Sequence, residues 1–84
     1  MASKFLSALG ARIRELRKAD GRSQEAFAQA VGLDRAFYGR VERGGQNIAM
    51  VTAARIAATL DVPMSDLVTG LPPYDASTDE IGAE

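Results

Sequence analysis

Between Gln24 and Val41 the sequence reads QEAFAQAVGLDRAFYGRV, and two small residues in it leave the backbone little choice. Ala28 stands at the fifth position and Gly32 at the ninth, while Phe27, Val31, Leu33, Tyr38 and Val41 occupy the fourth, eighth, tenth, fifteenth and eighteenth. This spacing predicts two short helices crossing at a tight turn. An alanine is needed where the second helix passes so close that a larger side chain would clash. A glycine supplies the positive φ that lets the chain turn abruptly. The five apolar side chains then fill the space between the helices, leaving the outer face of the second one uncovered.

The flanks continue the helical reading. Leu6, Leu9, Ile13 and Leu16 recur at spacings of three and four among Arg12, Arg14, Glu15 and Lys18, which predicts an amphipathic helix from about Ser3 to Ala19, stopped by Asp20, Gly21 and Arg22. Ser23 suits the N-cap of a second helix ending near Val31, and Asp34 the N-cap of a third running to about Arg43. A fourth helix is expected from about Ala49 to Leu60, burying Met50, Ala53, Ile56, Ala57 and Leu60. Pro63 fits the start of a short fifth helix over Met64 to Val68, closed by Gly70. The expected architecture is all-α, with one five-helix domain over residues 1–70 and an acidic, flexible tail over residues 71–84 whose Pro, Ser, Thr and Glu content cannot build a core.

At 84 residues a single domain buries a thin core, so association with a second copy is plausible on size. The chain has no cysteine and no histidine, which removes disulfides, thiolate metal sites and the commonest general base. No catalytic residue, metal site or cofactor is expected. Asp75, Asp79 and Glu80 sit in surroundings too loose for a metal cage, and the Gly44-Gly45 pair lacks the preceding strand of a phosphate-binding loop. The N-terminal MASKFLSALGAR carries no apolar run long enough for a signal peptide and no stretch approaches a membrane span, so the expected location is cytoplasmic. The net charge of −1 conceals a division: residues 1–70 hold ten basic and seven acidic groups, whereas Asp75, Asp79, Glu80 and Glu84 make the tail −4. A mildly cationic body is compatible with a nucleic-acid partner.

The segments IRELRKADGRSQEAFAQAVGLDRAFYGRVERG and ARIAATLDVPMSDLV together resemble the Cro/repressor-type, or Xre-like, helix-turn-helix family over roughly Leu9 to Gly70. The turn pattern, the spacing from the arginines to Ser-Gln, the Glu-x-Gly signature at Glu42 to Gly44 and the closing Leu-x-Val-Pro all coincide. Within the family, LDRAFYGRVER is similar to the controller proteins of restriction-modification systems. Two residues depart from the pattern: Tyr38 replaces an aliphatic residue, and Gly39 interrupts the third helix. The tyrosine hydroxyl needs a partner or solvent.

The resemblance implies a lambda-repressor-like DNA-binding domain whose helix-turn-helix is formed by the second and third helices. Its function would be sequence-specific transcriptional regulation, with a homodimer on a pseudo-palindromic operator in double-stranded DNA. The third helix would be the recognition helix. Arg35 at its tip would read a base edge, with Ala36, Phe37 and Arg40 on the same outer face; for Phe37 the competing reading is a core position. Gln24 would clamp the DNA backbone or buttress the recognition helix, and Arg43, Gln46 and Asn47 would form a second backbone-contacting cluster. Arg17 and Glu42 match the family's internal salt bridge, and Arg12, Arg14 and Lys18 read as a solvated face. The dimer would use Leu60, Val62, Pro63, Met64, Leu67 and Val68, with Leu71 and Tyr74 extending it. A different reading is the antitoxin of a toxin-antitoxin pair, with a protein partner held through the tail.

Overall fold

A computed structural model describes residues 3–74, which form five helices and no strand among the described residues. They are α1 (Lys4–Asp20), α2 (Gln24–Val31), α3 (Arg35–Glu42), α4 (Met50–Leu60) and α5 (Ser65–Val68). The first three start where a side-chain oxygen can take an orphan backbone amide. Ser3 Oγ accepts from Leu6 N at 3.0 Å, Ser23 Oγ from Ala26 N at 3.1 Å, and Asp34 Oδ2 from Phe37 N at 3.0 Å. α4 begins at Ala49 without such a cap. Gly21 and Gly32 close α1 and α2 in the left-handed region, at φ 91° and 87°.

The core lies where α1 packs on α3, α4 and α5 and where α2 packs on α3 and α4. Ile13, Phe27, Tyr38, Ile56 and Leu67 are wholly enclosed, joined by Leu9, Ala28, Val31, Val41, Ala53, Ala57 and Leu60. The Phe27 and Tyr38 rings lie 5.3 Å apart and tilted, a favourable arrangement for paired π-systems. Met50 corrects the expected face of α4. It points outward with 75% of its surface exposed, because position 50 is on the first turn and the buried stripe begins at Ala53. Leu33 is only partly buried, and α5 starts at Ser65 rather than Met64.

A glycine in the middle of α1 determines how near the first and third helices come. A Cβ on Gly10 would lie 2.6 Å from the Glu42 carbonyl oxygen and collide with that of Val41. Those oxygens belong to the backbone of the α3 terminus and cannot swing aside. Two arginines then bind the outer elements to this centre. Arg12 donates from Nη1 to the Asp66 carbonyl at 2.7 Å and from Nη2 to that of Thr69 at 2.8 Å, holding the end of α5 against α1. Arg55 of α4 donates from Nη2 to the Val31 carbonyl at 2.6 Å and to that of Gly32 at 3.3 Å, capping the end of α2 at the turn. Arg12 is therefore a structural tie rather than a solvated charge.

Gly10→Ala and Gly39→Ala should separate by sign and size in chemical denaturation. The first has to force two helices apart and should cost at least the upper end of the usual overpacking range of about 1–3 kcal/mol. At Gly39 a Cβ would approach the movable Arg43 guanidinium at 3.4 Å, so the helix propensity gained, up to about 1 kcal/mol, should leave stability unchanged or raised.

Candidate nucleic-acid interface

The floor of the site is one buried carboxylate. Glu42, in the last turn of α3, receives Arg17 Nε on Oε2 at 2.6 Å and Arg17 Nη2 on Oε1 at 3.1 Å, the two-pronged geometry that suits a guanidinium. The Gln24 amide donates from Nε2 to Oε1 at 2.9 Å, and the Tyr38 hydroxyl donates to Oε2. A third arm of Arg17 donates from Nη1 to the Arg22 carbonyl at 2.8 Å, while the Arg22 guanidinium lies 5.8 Å from the centre of the Phe27 ring. The first, second and third helices are thus joined at a single point.

Electrostatics agrees with that geometry. Burial pushes the Glu42 carboxyl up, but the hydrogen bonds from Arg17, Gln24 and Tyr38 and the charge of Arg17 outweigh it and hold its pKa below the usual glutamate value. The hydrogen bond to Glu42 raises Arg17. Burial, followed by the hydrogen bond to Glu42, drives the Tyr38 hydroxyl far above the ordinary phenol range. This supplies the partner that an aromatic residue at position 38 requires.

Above the floor, Arg35, Ala36 and Arg40 occupy the exposed side of α3, with Arg35 immediately after the Asp34 cap. Phe37 departs from the sequence expectation. Its side chain is partly buried against the core, as the competing core reading expects. Gln24 donates its amide nitrogen to Glu42 and so buttresses α3. Arg43 is exposed beyond the end of α3, with its guanidinium folded back over Gly39, and Asn47 is exposed in the loop after α3 near the half-buried Gln46. Gly44 lets this loop approach α1: at φ 79°, a Cβ there would lie 2.6 Å from Ser7 Cα.

The expected dimer residues divide. Val62 and Met64 are half-buried and Pro63 and Val68 are exposed, whereas Leu60 and Leu67 belong to the protomer's own core, at 8% and 0% exposure. α5 is a single turn, and Leu67 is the side chain that fastens it inward. Leu71, assigned by composition to the tail, packs against the core, and Asp75, Asp79 and Glu80 lie outside the described residues. Among the described residues no helix is long and apolar enough to cross a membrane, and no group of acids could hold a metal ion.

The helix-turn-helix family matches residues 13–67 of this chain. The chain belongs to the helix-turn-helix family. This helix-turn-helix chain is 35% identical over 63 residues to the control protein C.MunI of Mycoplasma sp, covering 74% of this chain and 85% of that one. Its fold matches the restriction-modification controller protein C.AhdI of Aeromonas hydrophila with a TM-score of 0.72 at 45% identity, over 74% of this chain and 94% of the other. It also matches SinR, a master regulator of biofilm formation solved in complex with DNA, with a TM-score of 0.67 at 30% identity over 70% and 95% of the two chains. Members of this kind are DNA-binding regulators of transcription, and this chain shares their helical fold.

Gly10, Arg12, Gly44 and Arg55 escape a reading of the sequence alone. An isolated glycine inside an amphipathic helix is the local sign of a close backbone approach, and Gly10 carries it. Arg12 and Arg55 carry none, since a long side chain reaching a distant carbonyl has no fixed spacing in sequence.

Arg17→Ala and Glu42→Ala should each cost about 3–5 kcal/mol, as expected when one member of a buried pair is stranded. The double variant should cost clearly less than their sum. The pH profile of stability should carry the signature of the same cluster. Since Glu42 is lowered by folding, its contribution is complete above about pH 4.3 and is lost as the pH falls through its folded value; Glu42→Gln should flatten that acid limb. Since Tyr38 is raised by folding, its contribution is complete below about pH 10 and is lost above it, a limb that Tyr38→Phe should remove.

Proposed function

We propose that this protein is a sequence-specific transcriptional regulator that binds a pseudo-palindromic operator as a homodimer, with α3 in the major groove. The carrying observation is the division of α3 into a face anchored through Glu42 and Tyr38 and an exposed face with Arg35, Ala36 and Arg40. Arg35 has the chemistry to donate two parallel hydrogen bonds to O6 and N7 of guanine. Ala36 suits a thymine methyl, and Arg40 a further base or phosphate. Arg43, Gln46 and Asn47, with the free amides at the start of α2, serve the sugar-phosphate backbone and hold the register without reading sequence.

One recognition helix reads only a few base pairs, so specificity calls for two copies on half-sites about one helical turn apart. The surface that supports association is an apolar groove of about 160 Å³ lined by Phe5, Leu6, Ile48, Met50, Met64 and Val68. Met50 and Val68, which line it, are large apolar side chains 75% and 47% exposed. A second copy of the chain covers them in this reading. The interface then shifts from Leu60 and Leu67 toward Met50, Met64 and Val68, with Val62 and Pro63 at its edge.

Binding to an operator selected from random duplex DNA, and to each of its single-base variants, tests the assignment. Arg35→Ala should lose discrimination at one base pair per half-site, at about 1–3 kcal/mol, while Asn47→Ala should weaken all sequences nearly equally. An unchanged discrimination profile in Arg35→Ala would place the reading surface elsewhere. For the interface, Met50→Lys with Val68→Lys should give a folded monomer in sedimentation equilibrium and weaken operator binding. A dimer unaffected by the pair would move the interface off this groove.

A further inference from the structure

Oxidation by peroxide has few places to act in this chain. The sequence holds no cysteine and no tryptophan, so the thioethers of Met1, Met50 and Met64 are its only sulfur atoms. A peroxide converts such a thioether, flexible and apolar, into a polar sulfoxide. Met1 lies outside the described residues, and both of the others line the apolar groove between α1, α4 and α5.

The two are not equivalent. Met50, on the first turn of α4, is 75% exposed, whereas Met64 is half-buried and packs against the core. Oxidation follows access to the sulfur, so Met50 reacts first. The protomer survives it, because the buried stripe of α4 begins at Ala53 and a sulfoxide oxygen at position 50 stays in water. The same oxygen has no place in a seam between two apolar faces. There it loses its water, and, Asn47 excepted, the described side chains that line the groove offer it no donor.

We propose that Met50 is a peroxide-sensitive modification site whose oxidation separates the dimer into protomers. This rests on the reading of the groove as the surface between two copies. The Met50 sulfur attacks one oxygen of hydrogen peroxide, and an S–O bond forms as the O–O bond breaks. The departing hydroxide takes the proton of the transferred hydroxyl and leaves as water. The sulfur is thereby oxidised by two electrons and the peroxide reduced by two. A dimer covers Met50, so the reaction takes place on the free protomer, and each modified copy is withdrawn from the association equilibrium.

Hydrogen peroxide added to the full-length protein, followed by peptide mass mapping and sedimentation equilibrium, tests the assignment. Met50 should gain its oxygen before Met64, and more slowly as protein concentration is raised through the dimer dissociation constant. Oxidised protein should keep its amide spectrum away from the groove, while that constant rises about tenfold or more, the scale of burying a polar group without a partner. Methionine sulfoxide reductase should reverse the change. In Met50→Leu the dissociation constant, whatever its starting value, should not respond to peroxide; in Met64→Leu it should rise. A dimer unchanged after complete oxidation of Met50 would overturn the proposal and leave the homodimer standing. So would Met64 reacting first, or an equal response in Met50→Leu. A chain already monomeric before peroxide is added would overturn the dimer reading, and the proposal with it.

Discussion

A carboxylate removed from water must find enough donors or become neutral, and Glu42 finds four hydrogen bonds from three side chains. Because Arg17, Gln24 and Tyr38 come from the first, second and third helices, satisfying that one charge fixes the mutual placement of all three. The requirement is more demanding than hydrophobic contact. Apolar side chains tolerate sliding by an ångström, whereas a two-pronged guanidinium-carboxylate pair loses its geometry over that distance. The rigidity of the helix-turn-helix frame comes from this cluster, with Phe27 and Tyr38 sealing it from solvent.

The same cluster explains the two unusual residues of α3. Tyr38 exchanges an aliphatic contact for an aromatic one and uses its hydroxyl on Glu42, so a polar atom enters the core with its partner supplied. Gly39 leaves space on the helix surface into which Arg43 folds and beside which the Gln24 oxygen lies. Around this centre, backbone approaches at Gly10 and Gly44 set how closely α1 meets α3 and the loop after it. Arg12 and Arg55 fasten α5 and the α2 terminus to their neighbours.

Most of this frame is legible in the sequence where the physics is local. Ser23, Asp34 and Gly32 signal caps and a turn within a few residues of themselves, and Ile13, Phe27, Val41 and Ile56 keep to the helical period. The pairing of Arg17 with Glu42 comes through family resemblance, since 25 residues separate them and no local pattern joins them. The features that escape depend on distance in three dimensions. Leu67 is expected at the dimer surface, yet the short α5 needs it turned inward, and Leu60, expected both in the α4 stripe and in the dimer, lies in the core. Met50 looks like core by hydropathy, and lies outside because the buried stripe starts one turn later. Gln24 can be read as touching either DNA or α3, and its contact with α3 depends on where Glu42 lies.

The central claim is that the Glu42 cluster holds α3 so that its Arg35, Ala36 and Arg40 side faces the duplex. Amide shift mapping of the full-length protein, titrated with the operator obtained by selection, tests it most directly. The account predicts the largest changes at the starts of α2 and α3, through Arg40, and in the loop from Arg43 to Asn47, with Ile13, Ile56 and Leu67 nearly unmoved. Changes concentrated on α1 and α5, with residues 35–40 silent, would contradict it.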